Sequence, residues 1–317
     1  MPDRANGCEM GIAYIISAYK LPDQLLRLIS RLNSPGSVFL VHIDRKTNPI
    51  TFDKVVRELG TFGNVIFLKS HKCYWGDFGH VQATIKGIRE LFRRKTAFDY
   101  VFLLTGQDYP IKPAERICQF LEENKGKEFI AFRTLPISEL GLQDGGFSRI
   151  ERWHLRIFGR HVRIPTEARH LTIGERIIVR ILSLLFAKRS FPPGFQPYFG
   201  SSYWCITREC AGYINEFVAR NRGFVRFFKH VLVPDEMFFQ TIIINSSFRD
   251  RVVNDNLRSI DWSEGGNNPR VWRKEDLETL RLSNALIARK FDLNVDPEIL
   301  DLIDVELLHI PRRDFIT

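Results

Sequence analysis

Several patterns that define common protein classes are missing from this sequence of 317 residues. Its five cysteines are an odd number without CxxC spacing, which argues against a disulfide framework or a zinc ribbon, so reduced thiols are expected. Neither a GxGxxG fingerprint nor a Walker loop occurs, which argues against Rossmann dehydrogenases, kinases and P-loop NTPases. There is also no Asp-x-Asp pair, on which many sugar transferases hold a divalent ion.

Targeting, linker and repeat signals are absent as well. The apolar stretch at residues 11–17 is too short for a signal peptide or a membrane span, so the expected location is the cytoplasm. No Gly/Ser linker, low-complexity tract or internal repeat interrupts the chain. Hydrophobic residues make up 44% and charged residues 26%, as in ordinary globular proteins. We therefore predict one folded domain over residues 1–317.

The net charge of +9 predicts an anionic partner. Nucleic acid, an acidic membrane surface and phosphorylated small molecules all meet that description. The basic residues are dispersed and no RNA- or DNA-binding motif accompanies them, which argues against nucleic acid. A basic nucleic-acid-binding protein remains a rival, and steeply salt-dependent oligonucleotide binding would identify it.

Short apolar runs alternate with amphipathic stretches through the first 135 residues. This alternation predicts an α/β fold with a mostly parallel central sheet flanked by helices. Ligands of such sheets bind beyond the carboxyl ends of the strands. The polar or aromatic residues that follow predicted strands are Asp44, Trp75 with Gly76, and Asp108. A nucleotide would need such groups for stacking and hydrogen bonding, although strand-ending turns explain each position equally well.

The segment VLVPDEMFFQT is the most informative for chemistry. Pro234 suits the first turn of a helix, which places Asp235 and Glu236 where the helix dipole favours negative charge. Apolar neighbours would partly desolvate the carboxylates and raise a carboxyl pKa towards that of a general base. The alternative is a carboxylate with only a capping role.

Arg289 and Lys290 form an adjacent pair of cations before Phe291. Arg can hold a diphosphate by bidentate contact and Lys can hold it as a point charge. In the absence of a metal ion, the pair could neutralise a leaving diphosphate. The alternative is a solvated helix end whose cations complement the dipole.

Residues 174–189, GERIIVRILSLLFAKR, combine apolar and basic residues in a helical pattern. Thr172 and Glu175 have the spacing of a capping box for that helix. The stretch could lie on a membrane surface, which would make the protein peripheral to the inner face of the membrane. It could instead cover an acceptor site or pack on the core.

Five segments occur in an order that resembles one known family: TGQDYPIKP, GSSYWCITRE, VPDEMFFQTIIINS, NDNLRSIDW and ARKFD. They are similar to segments of the core-2/I-branching N-acetylglucosaminyltransferase and peptide O-xylosyltransferase family. The resemblance runs from Ile12 to about Asp304. It implies a GT-A-type fold, with a nucleotide-binding half at about 11–135 and an acceptor-binding and catalytic half at about 141–317.

The resemblance also implies a chemistry: an inverting transfer from a UDP-sugar, without a divalent metal or other cofactor. It assigns Glu236 as the base towards the acceptor hydroxyl, and Arg289 and Lys290 as diphosphate ligands. Asp44 would contact the uridine, with Trp75 as the aromatic residue of the next loop.

The resemblance also points to further site residues without giving each of them a role. These are Asp108, Trp204, Asp235 and Arg258 around the pocket, and Glu151 and Arg152 on the acceptor side. Ser202 stands where the xylosyltransferases have an acidic residue. The donor sugar would be N-acetylglucosamine or xylose, and the acceptor a glycan, a lipid-linked glycan or a protein, in bacterial glycan synthesis. A catalytically inactive UDP-sugar- or carbohydrate-binding protein is the alternative.

Overall fold

A computed structural model describes residues 10–137, 144–157, 160–164, 188–266 and 268–311, with residues 173–174, 176–177, 180–181 and 186. The strands are β1 (Ile12–Ala18), β2 (Ser37–Ile43), β3 (Val65–Phe67), β4 (Tyr100–Thr105), β5 (Asp108–Pro110), β6 (Glu128–Thr134), β7 (Trp153–Ile157), β8 (Arg160–Ile164), β9 (Tyr198–Thr207), β10 (Val252–Val253), β11 (Arg258–Ile260) and β12 (Ile287–Arg289).

The helices in the same ranges are α1 (Pro22–Leu32), α2 (Pro49–Gly60), α3 (Gly79–Arg93), α4 (Ala114–Glu123), α5 (Ser148–Glu151), α6 (Arg208–Arg220), α7 (Arg222–Phe228), α8 (Phe238–Ile244), α9 (Leu277–Leu282) and α10 (Glu298–Glu306). Short 3₁₀ turns cover Pro234–Glu236, Ser247–Arg251 and Lys274–Asp276. None of these helices is both long enough and apolar enough to cross a bilayer.

The central sheet has seven strands in the order β10-β6-β9-β4-β1-β2-β3. Strand β1 is parallel to β2 and β4, β2 is parallel to β3, and β6 is parallel to β10. Only β9 runs antiparallel to its neighbours β4 and β6. The predicted α/β class, with a mostly parallel sheet flanked by helices, is confirmed. Both halves of the chain contribute strands to this one sheet.

The core lies on both faces of the sheet because alternate side chains of a strand point to opposite sides. In β1, Tyr14 and Ile16 pack in the layer that contains α1 and α2, whereas Ile15 packs in the layer that contains α3. Gly87 lets α3 approach β1 closely, since a Cβ there would lie 2.9 Å from carbons of Ile15. Because β1, β2 and β4 are parallel, their carboxyl ends meet at one edge of the sheet.

A second sheet, β11-β12-β5, places Arg289 directly opposite Asp108. The sequence left open a helix end at Arg289 and Lys290, but α9 ends at Leu282 and Arg289 closes a strand. The alternative of a helix end for the cation pair is therefore wrong. The apolar run before it is too short for periodicity to separate helix from strand.

The VPDEMFFQT segment also differs from one continuous helix. Pro234–Glu236 form a 3₁₀ turn and a separate α-helix begins at Phe238. Val233 enters the turn in the left-handed region at φ 51°, and Met237 leaves it at φ −134°. Glu236 therefore ends a tight turn instead of opening a long helix.

Most of residues 174–189, and the predicted capping box of Thr172 and Glu175, lie outside the described residues. Ile177 and Ile181 of that stretch are exposed.

Cys73, Cys205 and Cys210 are free thiols, but Cys118 is disulfide-bonded. The expectation of reduced thiols throughout is wrong at Cys118.

Candidate active site

Glu236 lies at the end of the 3₁₀ turn, partly buried, with its carboxylate against a guanidinium. Arg149 Nη1 donates to Glu236 Oε2 at 2.9 Å. Burial raises the pKa of Glu236 most, Asp235 adds to the rise, and Arg149 opposes it, which leaves the pKa at about 7. At neutral pH the carboxyl group is therefore balanced between accepting and releasing a proton, as general-base catalysis requires.

Arg149 was not predicted from the sequence. It belongs to the short helix α5, and its backbone carbonyl accepts from Leu232 N at 3.1 Å, which ties that helix to the segment before Glu236. Its guanidinium also lies over the Phe199 ring at 4.8 Å. One arginine among many in an irregular stretch offers no spacing signal, so only the fold could identify it.

Asp235 and Ser202 form a second polar pair beside the candidate base. Ser202 Oγ donates to Asp235 Oδ2 at 2.9 Å. Ser202 belongs to β9, so the pair connects the central sheet to the catalytic turn. The position singled out as different from the xylosyltransferases therefore contacts the neighbour of Glu236.

The Trp75-Gly76 loop contacts the same turn from the other side. Val233 N donates to the Gly76 carbonyl oxygen at 3.0 Å. Gly76 has φ 75°, and a Cβ at that position would lie 3.2 Å from Leu232 Cδ1. Trp75 is 59% exposed, so its ring is free to stack on a ligand. The predicted donor loop and the candidate base are thus joined by backbone contact.

Asp44 follows β2 and is buried at the carboxyl edge of the sheet. Its Oδ1 accepts from Lys46 N at 2.9 Å, and its Oδ2 lies 3.4 Å from Cys73 N and 3.4 Å from Lys46 Nζ. These contacts hold Asp44 beside the loop that carries Trp75.

The predicted cation pair lies at the end of β12 with different surroundings for each side chain. Arg289 Nη1 donates to Thr105 Oγ1 and is 3.6 Å from Asp108 Oδ1. Lys290 is half-buried, and burial, followed by the nearby cations Lys20 and Arg289, lowers its pKa. A negative ligand would relieve that repulsion.

Beneath the pair, Arg258 and Asp108 are buried next to Arg289. Arg258 Nε is 3.4 Å from Asp108 Oδ1, and its Nη2 donates to Leu103 O at 3.0 Å. The Nη1 atom of Arg258 is buried without a hydrogen-bond partner. Asp108 is fully buried, so its placement supports the arginines instead of exposing a carboxylate to a ligand. Two guanidinium groups share this one carboxylate.

Tyr203 lines this cluster, whereas Trp204 does not. The Tyr203 ring lies 4.2 Å from the Arg258 guanidinium and 5.1 Å from that of Arg289. Trp204 is fully buried in the core and packs on Phe239 at 5.3 Å. The prediction that Trp204 lines the pocket is not met, because adjacent residues of a strand face opposite sides. The same alternation could have identified Tyr203, instead of Trp204, as the residue that faces the arginines.

The acceptor-side predictions at Glu151 and Arg152 lie close to the site without joining its carboxylates. Glu151 pairs with Lys188 at 2.8 Å, and its carbonyl accepts from Arg189 N at 2.8 Å. The Arg152 carbonyl lies 3.4 Å from Arg189 Nη1. Among the described residues of this region, Arg149 reaches Glu236.

Among the described residues, the group that could hold a metal ion is His42, His71 and Cys73. It contains none of the predicted site residues.

Residues 12–284 match the family described as Core-2/I-Branching enzyme. The chain is similar to the N-acetyllactosaminide beta-1,6-N-acetylglucosaminyl-transferase of Homo sapiens, at 26% identity over 321 residues, 96% of this chain and 72% of that protein. The Mus musculus protein of the same name is 24% identical over 316 residues, with 94% and 73% covered.

It is also similar to Xylosyltransferase 2 of Rattus norvegicus, at 24% identity over 327 residues. That alignment covers 95% of this chain and 34% of the xylosyltransferase, so the chain spans about a third of that relative. The family match covers most of the chain and includes residues 75–76 and 234–236. This chain belongs to the Core-2/I-Branching enzyme family and is a glycosyltransferase.

Proposed function

We propose that this protein moves a sugar from a UDP-sugar to an acceptor hydroxyl with inversion, without a divalent ion, and with Glu236 as the base. The observation that carries the proposal is the Glu236 carboxyl group, whose pKa is raised to about 7 on a turn tied to the donor loop. In the reaction, Glu236 takes the proton of the acceptor hydroxyl as that oxygen attacks C1 of the sugar. The C1–O bond to UDP breaks in the same step.

Arg149 orients the base and limits the rise of its pKa. Its hydrogen bond holds Oε2 of Glu236 and leaves Oε1 for the acceptor hydroxyl. A carboxylate with an unopposed desolvation cost would stay protonated at neutral pH and could not accept a proton. Arg149 therefore keeps a substantial fraction of Glu236 ionised.

The buried arginines supply the positive charge for the leaving group. Arg258 and Arg289 share one carboxylate, Asp108, so the cluster carries an excess of positive charge before Lys290 is added. Positive groups already in place stabilise the charge that grows on a departing diphosphate without reorganisation. Asp108 and Tyr203 hold these groups in position, and Asp44 and Trp75 would contact the nucleoside.

The donor sugar we propose is N-acetylglucosamine or xylose, because the named relatives are N-acetylglucosaminyl- and xylosyltransferases. The acceptor is a glycan, a lipid-linked glycan or a protein, in bacterial glycan synthesis, and the protein works in the cytoplasm or at the inner face of the membrane. A thermal-shift screen of UDP-sugars identifies the donor, because a ligand that binds the folded state raises the melting temperature.

The test is UDP release from that donor, measured with and without candidate acceptors for the wild type and Glu236→Gln. The variant keeps the shape of the side chain but cannot accept the proton, so turnover should fall roughly 10²- to 10⁴-fold. UDP binding should be retained. Unchanged turnover in the variant would overturn the role of Glu236, and donor binding without any UDP release would favour an inactive binding protein.

A further inference from the structure

Three side chains of types that can ligate a metal ion lie close together near the Trp75-Gly76 loop, outside the proposed catalytic groups. His42 lies on β2, and His71 and Cys73 lie in the segment after β3. The ligand atoms of the three residues lie within 4.8 Å of one another. His42 Nε2 is 2.9 Å from His71 Nδ1, and Cys73 Sγ is 3.7 Å from His71 Nε2. His42 and Cys73 are buried, so water competes little for them.

The surrounding hydrogen bonds indicate where the imidazole protons lie. His71 Nε2 is 2.9 Å from the Gly79 carbonyl, which can only accept, so that nitrogen carries the proton and Nδ1 has the lone pair. The backbone N–H of His71 donates to His42 Nε2 at 3.2 Å, which gives that nitrogen a lone pair as well. The two nitrogens that face each other at 2.9 Å can therefore both offer lone pairs to an ion, in place of the Lys86 ammonium group that lies 3.0 Å from His71 Nδ1.

We propose that His42 Nε2, His71 Nδ1 and the Cys73 thiolate bind one Zn²⁺ ion, with a fourth position open to water. Two imidazoles and one thiolate suit Zn²⁺, which accepts nitrogen and sulfur ligands in tetrahedral sites. The Gly79 carbonyl fixes the tautomer and ring orientation of His71, as outer contacts of zinc ligands commonly do. The thiol proton leaves to solvent on binding, so affinity rises with pH.

Lys86 is the feature that opposes the ion. Its Nζ lies 3.0 Å from His71 Nδ1 and 3.2 Å from the Lys69 carbonyl. Zinc would displace the ammonium group from the imidazole, and the Lys69 carbonyl offers it a remaining partner. Removing the Lys86 charge should therefore strengthen zinc binding.

The ion would act on the donor loop and take no part in sugar transfer. Cys73 precedes Trp75 and Gly76 by a few residues, and its backbone N–H lies 3.4 Å from Asp44 Oδ2. An ion held by His42 and Cys73 joins β2 to the start of this loop. The site does not depend on the proposed reaction, because its ligands include neither Glu236 nor the arginine cluster.

The test uses tag-free protein, reduced with a phosphine and stripped with a chelator, then titrated with Zn²⁺ against a competing dye and with Co²⁺ by absorption spectroscopy. We expect one ion per chain and a thiolate-to-cobalt charge-transfer band. Cys73→Ser and His71→Ala should each weaken binding by roughly 100-fold. His80→Ala is the matched control, because His80 lies near His42 without belonging to the group, and it should bind as the wild type does.

Lys86→Gln should tighten binding by on the order of tenfold, a gain that misfolding cannot produce. Wild-type zinc binding no stronger than that of Cys73→Ser, a cobalt spectrum without the thiolate band, or no gain in Lys86→Gln would each overturn the site. All of these measurements report zinc or cobalt binding and not sugar transfer, so their outcome is separate from that of the transfer assay.

Discussion

At the scale of single residues, the contact between Glu236 and Arg149 affects the pKa of the candidate base. A buried carboxyl group without a cation beside it would stay protonated at neutral pH and could not accept a proton. A carboxylate with an ordinary, low pKa would be ionised but would be a weak base. Burial and Asp235 raise the pKa of Glu236, and Arg149 opposes them, which leaves it at about 7. The protonation state of the base therefore depends on one neighbour that can be changed by mutation.

Arg149→Gln is expected to move the acidic limb of the kcat/KM profile to higher pH. The guanidinium stabilises ionised Glu236, so its loss should raise the pKa by roughly one unit or more. The measurement is UDP release as a function of pH. Arg222→Gln, which changes an exposed arginine, is the control and should leave the limb in place. A profile that does not move would show that Arg149 does not act on the base.

Glu236→Gln should also change how stability depends on pH. The folded pKa of about 7 lies above the ordinary value of 4.5, so the stability contributed by Glu236 is present below about pH 4.5 and is lost as the pH rises through 7. Gln does not ionise and avoids this loss. The melting temperature of the variant minus that of the wild type should therefore increase between about pH 5 and about pH 8.

Calorimetry or thermal shift in matched buffers measures this difference. The control is Glu216→Gln, which changes an exposed glutamate and should show no such trend. A constant difference for Glu236→Gln would mean that Glu236 is ionised in the folded protein throughout this range.

At the scale of elements, a backbone hydrogen bond joins the Trp75-Gly76 loop to the turn that carries Glu236. The Gly76 carbonyl accepts from Val233 N, and Val233 itself has a left-handed backbone at φ 51°. Changes in the loop should therefore reach the base. The same contact joins residues more than a hundred positions apart in the chain.

Gly76→Ala tests this coupling. A non-glycine residue at φ 75° costs about 1–3 kcal/mol, and the added methyl group would press on Leu232. We expect weaker UDP binding together with lower turnover in a protein that still folds. Gly60→Ala is the control, because a Cβ there meets nothing within 4 Å. Normal kinetics in Gly76→Ala would show that the loop is not coupled to the turn.

At the scale of the whole molecule, folding assembles positive charge from distant parts of the chain. Arg258 and Arg289 meet Asp108 because β11, β12 and β5 form one small sheet. That assembly is the reason we propose a reaction without a catalytic metal ion. We therefore expect transfer to require these arginines.

Transfer should proceed without added manganese or magnesium, whereas Arg289→Ala should lower turnover by roughly 10²-fold. The measurement is UDP release after exhaustive dialysis, with Lys125→Ala, which removes an exposed cation, as the control. A strict requirement for manganese or magnesium would contradict the proposal.

Much of the architecture was predictable because it depends on local patterns. The strands β1, β2 and β4 are recognisable as short apolar runs, and the helices α1 and α3 as amphipathic stretches. Their alternation along the chain predicts a parallel sheet. The carboxyl-edge rule then pointed to Asp44 and the Trp75 loop. Short elements could not be predicted in this way. The strand at Arg289 and the 3₁₀ turn at Glu236 have too few residues to show a periodic pattern.

The sequence by itself determined the fold class, the family and the identity of the candidate base and cation pair, since these depend on residue type and order. Only the tertiary structure placed Arg149 against Glu236, turned Tyr203 instead of Trp204 towards the arginines, and buried Asp108 beneath them. It also brought His42 to His71 and Cys73. These outcomes depend on distances between residues far apart in the chain, and the pKa of a carboxyl group follows from such distances.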